Sequence, residues 1–179
     1  MRSENLDGAA NQQERLSSEE RRFWFLAGVV EGEGSVCVSV RRHPTASFGY
    51  YVQPMFFIYQ HEERRALLEM AQEFFRGGRI RPKPGNEVVL VYSVQSRPIL
   101  EATVVPFLRE CLDLSSRTAD YLKFIEVVAR FERQLHRAPE GLADIVRIAY
   151  TMNQNGKQRR QPLEPVLDRI LRGHMPDAR

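Results

Sequence analysis

Lysine is nearly missing from this chain. Of its 26 basic residues only three, Lys83, Lys123 and Lys157, are lysine. Positive charge is therefore carried by guanidinium, a planar group with several donors that suits phosphates and guanine edges better than a point charge does, although a GC-rich genome produces the same bias. Cysteine is scarce too. Cys37 and Cys111 are the two in 179 residues, and neither has a CxxC partner or a Cys/His neighbour at zinc-ligand spacing. This excludes a disulfide framework and a structural zinc site, and predicts a reducing compartment, cytoplasmic or organellar. No run approaches the roughly 18 apolar residues needed to cross a bilayer, and the opening "MRSENLDGAANQQERLSSEERR" lacks the apolar centre of a signal peptide. A soluble protein with no membrane partner is expected. His43, His61, His136 and His174 are scattered singly and receive no chemical role.

What is present fits one ordinary globular domain. Hydrophobic residues make up 42% of the chain, enough for one sizeable core. The boundaries expected are a flexible N-terminal tail over residues 1–16 and a single domain over 17–175. A net charge of +3 names no partner by itself, but a pI near 9.1 is compatible with a polyanion.

Ser17 or Ser18 followed by Glu19 and Glu20 is a helix N-cap signature, and Phe23, Trp24, Leu26, Ala27 and Val30 carry that helix toward Gly32 to Gly34. Directly after it, Val36, Val38 and Val40 alternate with Ser35, Cys37, Ser39 and Arg41, as in a half-buried strand. "YYVQPMFFIYQ" reads as a second, longer strand, in which Pro54 predicts an edge position or a bulge because it has no N–H for a central ladder. A helix from Glu62 to Phe75 stops at Gly77-Gly78, and "RIRPK" and "EVVLVYSVQS" give two more strands around "PGN". Helices follow from Arg97-Pro98 to Cys111, from about Ser115 to Leu135 and from Pro139 to Met152, with a short last one ending near Leu171. This order, αββαββα and further helices, predicts an α+β fold with a four-stranded antiparallel sheet and helices on one face. The other sheet face is left open. By strand parity it gathers Ser35, Cys37, Ser39 and Arg41, then Tyr51, Gln53 and Tyr59, then Arg79, Arg81 and Lys83. Such a face suits phosphates and base edges.

The junction "LAGVVEGEG", Leu26 to Gly34, joins small residues to two carboxylates. Gly28 and Gly32 lie four apart on one helix face and, with Ala27, let another backbone approach closely. Two glycines weaken a helix by roughly 1 kcal/mol each relative to alanine. A second copy of the same helix, related by two-fold symmetry, would offset that loss. It would also set two Glu33 carboxylates side by side, where their repulsion calls for a cation between them.

That stretch closely resembles the LAGLIDADG motif of homing endonucleases. The aromatic-rich run before it, the alternating strand after it, a second strand ending in Gln60, and "RPIL…VPFL" leading to a helix also follow the order of single-motif members. The similarity runs from about Phe23 to Leu171, and no second motif copy is found. The resemblance implies a homodimeric, site-specific endonuclease that makes metal-dependent double-strand breaks with short 3′ overhangs in a long pseudo-palindromic duplex, and that is encoded within an intron or intein. It assigns the metal to Glu33 and Gly32, with Mg²⁺ as the cofactor and Mn²⁺ or Ca²⁺ able to replace it in binding. Glu31 is expected to support the helix end. Gln60 takes the polar position that holds water near the metal, and Arg117 becomes the nearest cation, because Ser115 or Ser116 stands where the family usually has lysine. Ala27, Gly28 and Gly32 form the expected dimer interface. The sheet-face residues, with Lys157 and Arg159 from a basic loop that also contains Arg160, are the expected DNA contacts. Two alternatives remain: a catalytically inactive LAGLIDADG DNA-binding regulator or RNA-splicing maturase, and a plain interaction domain with a self-associating glycine stripe.

Overall fold

The computed structural model describes residues 16–153 and 161–172. The expected tail therefore lies outside the described residues save for Leu16, as do the last residues of the expected domain, 173–175, and the basic loop residues Lys157, Arg159 and Arg160. Helix α1 (Ser18–Glu33) starts with a complete capping box: the Ser17 hydroxyl accepts from the Glu20 N–H while the Glu20 carboxylate accepts from the Ser17 N–H. The helix passes without a loop into β1 (Gly34–Arg42), because Gly34, with extended backbone, serves as its C-cap and donates its N–H to the Val30 carbonyl. A Cβ at position 34 would collide with that same carbonyl, so the junction needs glycine.

Strand β2 (Tyr50–His61) pairs antiparallel with β1 in an unbroken register from Gly34 opposite Ile58 to Arg42 opposite Tyr50. Helix α2 (Arg65–Phe74) leads to β3 (Arg79–Lys83) and β4 (Asn86–Val94), and the sheet order is β1-β2-β4-β3. The edges are thus β1 and β3, and β2 is an interior strand over only part of its length. β4 pairs with β2 only from Phe56 onward, which leaves Pro54, opposite Val38, with a single neighbouring strand: a local edge position without a bulge, as its missing N–H predicts. The irregularity in the sheet falls instead at Pro82/Lys83, in β3.

A helical run follows: α3 (Arg97–Ile99), a π turn over Leu100–Val104 and α4 (Val105–Glu110). The wider turn precedes Pro106, which has no N–H to continue the usual ladder. Helices α5 (Thr118–Glu132), α6 (Pro139–Tyr150) and α7 (Leu163–Leu171) complete the chain. One sheet face is buried beneath these helices. Val36, Val38, Phe56, Ile58, Leu90, Tyr92 and Val94 meet Leu26 and Val30 of α1, Phe124 and Val128 of α5, and Ile145 and Ala149 of α6 in one apolar core. Each valine, leucine, isoleucine or phenylalanine among them contributes about 1.5–3 kcal/mol when fully buried. Phe23, Phe74, Phe75 and Phe107 pack ring against ring beneath α1, and the Tyr92 hydroxyl finds the Gly77 carbonyl at 2.7 Å. No described helix is long and apolar enough to cross a membrane.

Candidate nucleic-acid interface and active site

The uncovered sheet face carries the residues that alternation predicts. Ser35, Cys37, Ser39 and Arg41 alternate with buried Val36 and Val38 on β1, and Tyr51, Gln53 and Tyr59 alternate with buried Val52 and Ile58 on β2. The register sets Arg41 beside Tyr51, with the guanidinium carbon 5.8 Å from the ring centre, and Ser39 beside Gln53. Arg79 and Arg81 are exposed on β3, and the Lys83 ammonium lies 5.6 Å over the Tyr59 ring, so all three reach this face. The sequence reading left out Met55, Phe57, Val91 and Ser93, which share it: one row runs Ser35, Phe57, Ser93, Arg79 across the four strands. The same alternation carries the signal: Met55 and Phe57 share the parity of Gln53 and Tyr59 on β2.

At the end of this face nearest the motif, the two carboxylates of α1 meet different surroundings. Glu31 is tied down by the loop before α5: its oxygens accept from the Ser115 hydroxyl at 2.7 Å, the Ser116 hydroxyl at 2.5 Å and the Ser116 N–H at 3.0 Å. Burial pushes its pKa up, but the hydrogen bonds from Ser116 and Ser115 and the nearby Arg117 charge outweigh that and hold it below the usual carboxylate range. Its supporting role is thus visible. The Arg117 guanidinium donates to the Gly34 carbonyl, which brings this cation to the residue that follows Glu33. Glu33 itself is exposed and makes no hydrogen bond or ion pair among the described residues. Gln60 lies at the end of β2, two residues past the partner of Gly34, and its side-chain oxygen accepts from the His61 N–H at 3.2 Å. Glu33, Gly32, Arg117 and Gln60 therefore belong to one corner of the molecule, where α1, β1, β2 and the start of α5 meet.

A hard divalent cation fits the oxygens at this corner. Glu33 is an unpaired carboxylate at the C-terminal end of a helix, where the dipole is negative, and the Gly32 carbonyl is among the last four of α1, which lack partners within a continuing helix. No group of three or more His, Cys, Asp or Glu able to hold a metal occurs among the described residues. One carboxylate with backbone oxygens, completed by a second copy or by phosphate, is a donor set that suits Mg²⁺. On the remaining surface of α1, positions 28 and 32 have no atom within 4 Å of where a Cβ would stand, and Phe25, one turn before Gly28, is 53% exposed. The proposed interface face is open in the single chain.

The family model described as LAGLIDADG endonuclease matches residues 26–128, more than half of the chain. The protein is a LAGLIDADG endonuclease family member. It is 34% identical over 146 residues to the DNA endonuclease I-CeuI of Chlamydomonas moewusii, an alignment that covers 78% of this chain and 65% of that enzyme. The solved I-CeuI structure complexed with DNA superposes with a TM-score of 0.76 over 87% of this chain and 78% of that one. An archaeal intron-encoded homing endonuclease complexed with DNA, I-Vdi141I, gives 0.77 at 28% identity, over 85% of this chain and 96% of that one. The homing endonuclease I-LtrWI bound to target DNA gives 0.69 at 30% identity, over 81% of this chain but 48% of that one. A LAGLIDADG unit of this size thus corresponds to nearly all of one DNA-bound relative and about half of another.

Proposed function

We propose that this protein is a homodimeric, site-specific homing endonuclease that makes metal-dependent double-strand breaks in duplex DNA with short 3′ overhangs. The observation that carries the reading is the free, exposed Glu33 carboxylate at the motif helix's end, beside a sheet face furnished with arginine. In this reading the sheet lies in the major groove, with arginines on guanine edges or phosphates, Gln53 suited to adenine, and Met55 and Phe57 to apolar base surface. Glu33 and Gly32 hold the cation, Gln60 orients water, and Arg117 offers its remaining donors to the phosphate as negative charge builds. Mg²⁺ held there supplies Lewis-acid charge at the scissile phosphate. Two copies are inferred, since one copy matches 48% of I-LtrWI and offers at the corner, besides the engaged Glu31, one carboxylate.

Glu33→Gln tests the assignment. Cleavage of a duplex selected from a randomised library is expected to fall by at least about 10³-fold, a loss on the scale of removing one transition-state contact, while binding to that duplex stays within a few-fold. Cutting at a comparable rate would overturn the active-site assignment. One observation favours a second reading, the DNA-binding regulator or maturase: Ser115 and Ser116 are engaged with Glu31 and Arg117 with a backbone carbonyl. A wild-type protein that binds one duplex tightly and leaves it intact with Mg²⁺ or Mn²⁺ would select that reading.

A further inference from the structure

Far from the motif, a cavity of about 500 Å³ opens where β4 stops. It wraps the free edge of β2, since Tyr51 and Gln53 of the open face and Val52 and Pro54 of the buried face all line it, and pairing with β4 reaches only to Phe56. Opposite that edge stand Gln95, Arg97, Phe131, His136 and Arg137. Arg97 and Arg137 give this lining two guanidinium charges, and no carboxylate lines it among the described residues. Neither arginine is paired with an acid among the described residues.

Arg97, though exposed, is held in place by its neighbours. Its guanidinium carbon lies 5.4 Å from the centre of the Phe131 ring, and its Nη1 is 3.3 Å from His136 Nε2. The His136 ring itself packs on Phe131 with centroids 4.7 Å apart. Burial, then the charges of Arg97 and Arg137, push the His136 pKa down, so the imidazole is neutral and its Nε2 accepts from Arg97. Two like charges gathered in this partly enclosed cavity repel each other, and no counterion for them stands among the described residues. A tetrahedral oxyanion between them relieves both costs, and the Gln53 and Gln95 amides offer further donors.

We propose that Arg97 and Arg137 clamp a backbone phosphate of the duplex beside the segment covered by the sheet, with His136 and Phe131 as positioning residues. This rests on the DNA reading above and adds a contact that fixes register without reading sequence. Gln53 lies on the open face and lines the cavity, so a duplex laid on that face passes its mouth.

Each phosphate contact contributes about 0.9 to the slope of log affinity against log salt concentration. Anisotropy titrations of a non-cognate duplex across a salt series are therefore expected to show a slope reduced by about 0.9 for the Arg97→Gln/Arg137→Gln double variant and by a measurable part of that for each single variant. Affinity should fall alike for every duplex sequence, with the cleavage position unchanged. Both side chains are exposed, so circular dichroism and melting should match the wild type; if Arg97→Gln is misfolded, Arg137→Gln decides alone. Folded variants with the wild-type slope overturn the clamp. A titration with inorganic phosphate followed through the His136 ring resonances separates the sources: saturation by free phosphate together with an unchanged duplex slope assigns the cavity to a small anion and overturns the proposal. A wild type that binds no duplex defeats the nuclease reading and the clamp together, whereas wild-type binding with unaltered variants defeats the clamp alone.

Discussion

Glu31 and Glu33 show how two residues of one kind, two positions apart, take different tasks. Glu31 spends its acceptor capacity on Ser115 and Ser116, fastening the end of α1 to the start of α5, while Glu33 faces outward with its oxygens free. Because the folded pKa of Glu31 is depressed, its stabilising contribution is fully present above the unfolded value of about 4.3 and fades as pH falls through that value and on through the lower folded one. Denaturant unfolding at a series of pH values should show the wild type losing more stability than Glu31→Gln over that acid range. Equal losses would mean that the serine contacts carry no net stabilisation. The role of Glu31 at the helix end could be expected from the motif, but its partners could not. Ser115 and Ser116 were notable in the sequence only as replacements for an expected lysine.

At the scale of the element, α1 has two faces with opposite demands. Leu26 and Val30 enter the core, whereas among the described residues nothing packs on positions 28 and 32, and Phe25 beside them is half exposed. Glycine costs a helix roughly 1 kcal/mol relative to alanine, and no contact among the described residues requires it at position 28 or 32. In the proposed homodimer, a helix from the second copy would supply the missing reason. Gly28→Leu is well suited to test this, since the open space around position 28 lets the protomer keep its fold. Sedimentation should show the change from a dimer to a monomer with an unchanged circular dichroism spectrum, and double-strand cleavage should be lost with it. A variant that sediments like the wild type would remove the interface. Gly34 differs in kind: its Cβ would strike the carbonyl of Val30, so there the need for glycine lies within the chain.

For the whole molecule, the excess of +3 is too small to explain polyanion binding; its placement is what matters. Arg41, Arg79, Arg81 and Lys83 lie together on or beside the one sheet face that no helix covers, and Arg97 and Arg137 extend the positive surface past the end of β4. If two copies join through α1, their open faces form one continuous trough with two-fold symmetry. Selection of cut products from a randomised duplex library should then return a site made of two inverted half-sites. A site with a single, non-repeated half would contradict the two-copy reading.

Local order was determined by the sequence alone: the capping box at Ser17, the alternation along β1 and β2, the glycine at the helix-to-strand junction and the motif itself all act between near neighbours. Tertiary structure decided what depends on distant partners. Ser115 and Ser116 reach Glu31 across 84 and 85 positions, Pro54 keeps a local edge position because β4 ends early, and Arg97 meets His136 only where the end of β4 faces the end of α5. Backbone periodicity is a property of consecutive residues, whereas these contacts arise from how helices settle on a sheet, which no local pattern encodes.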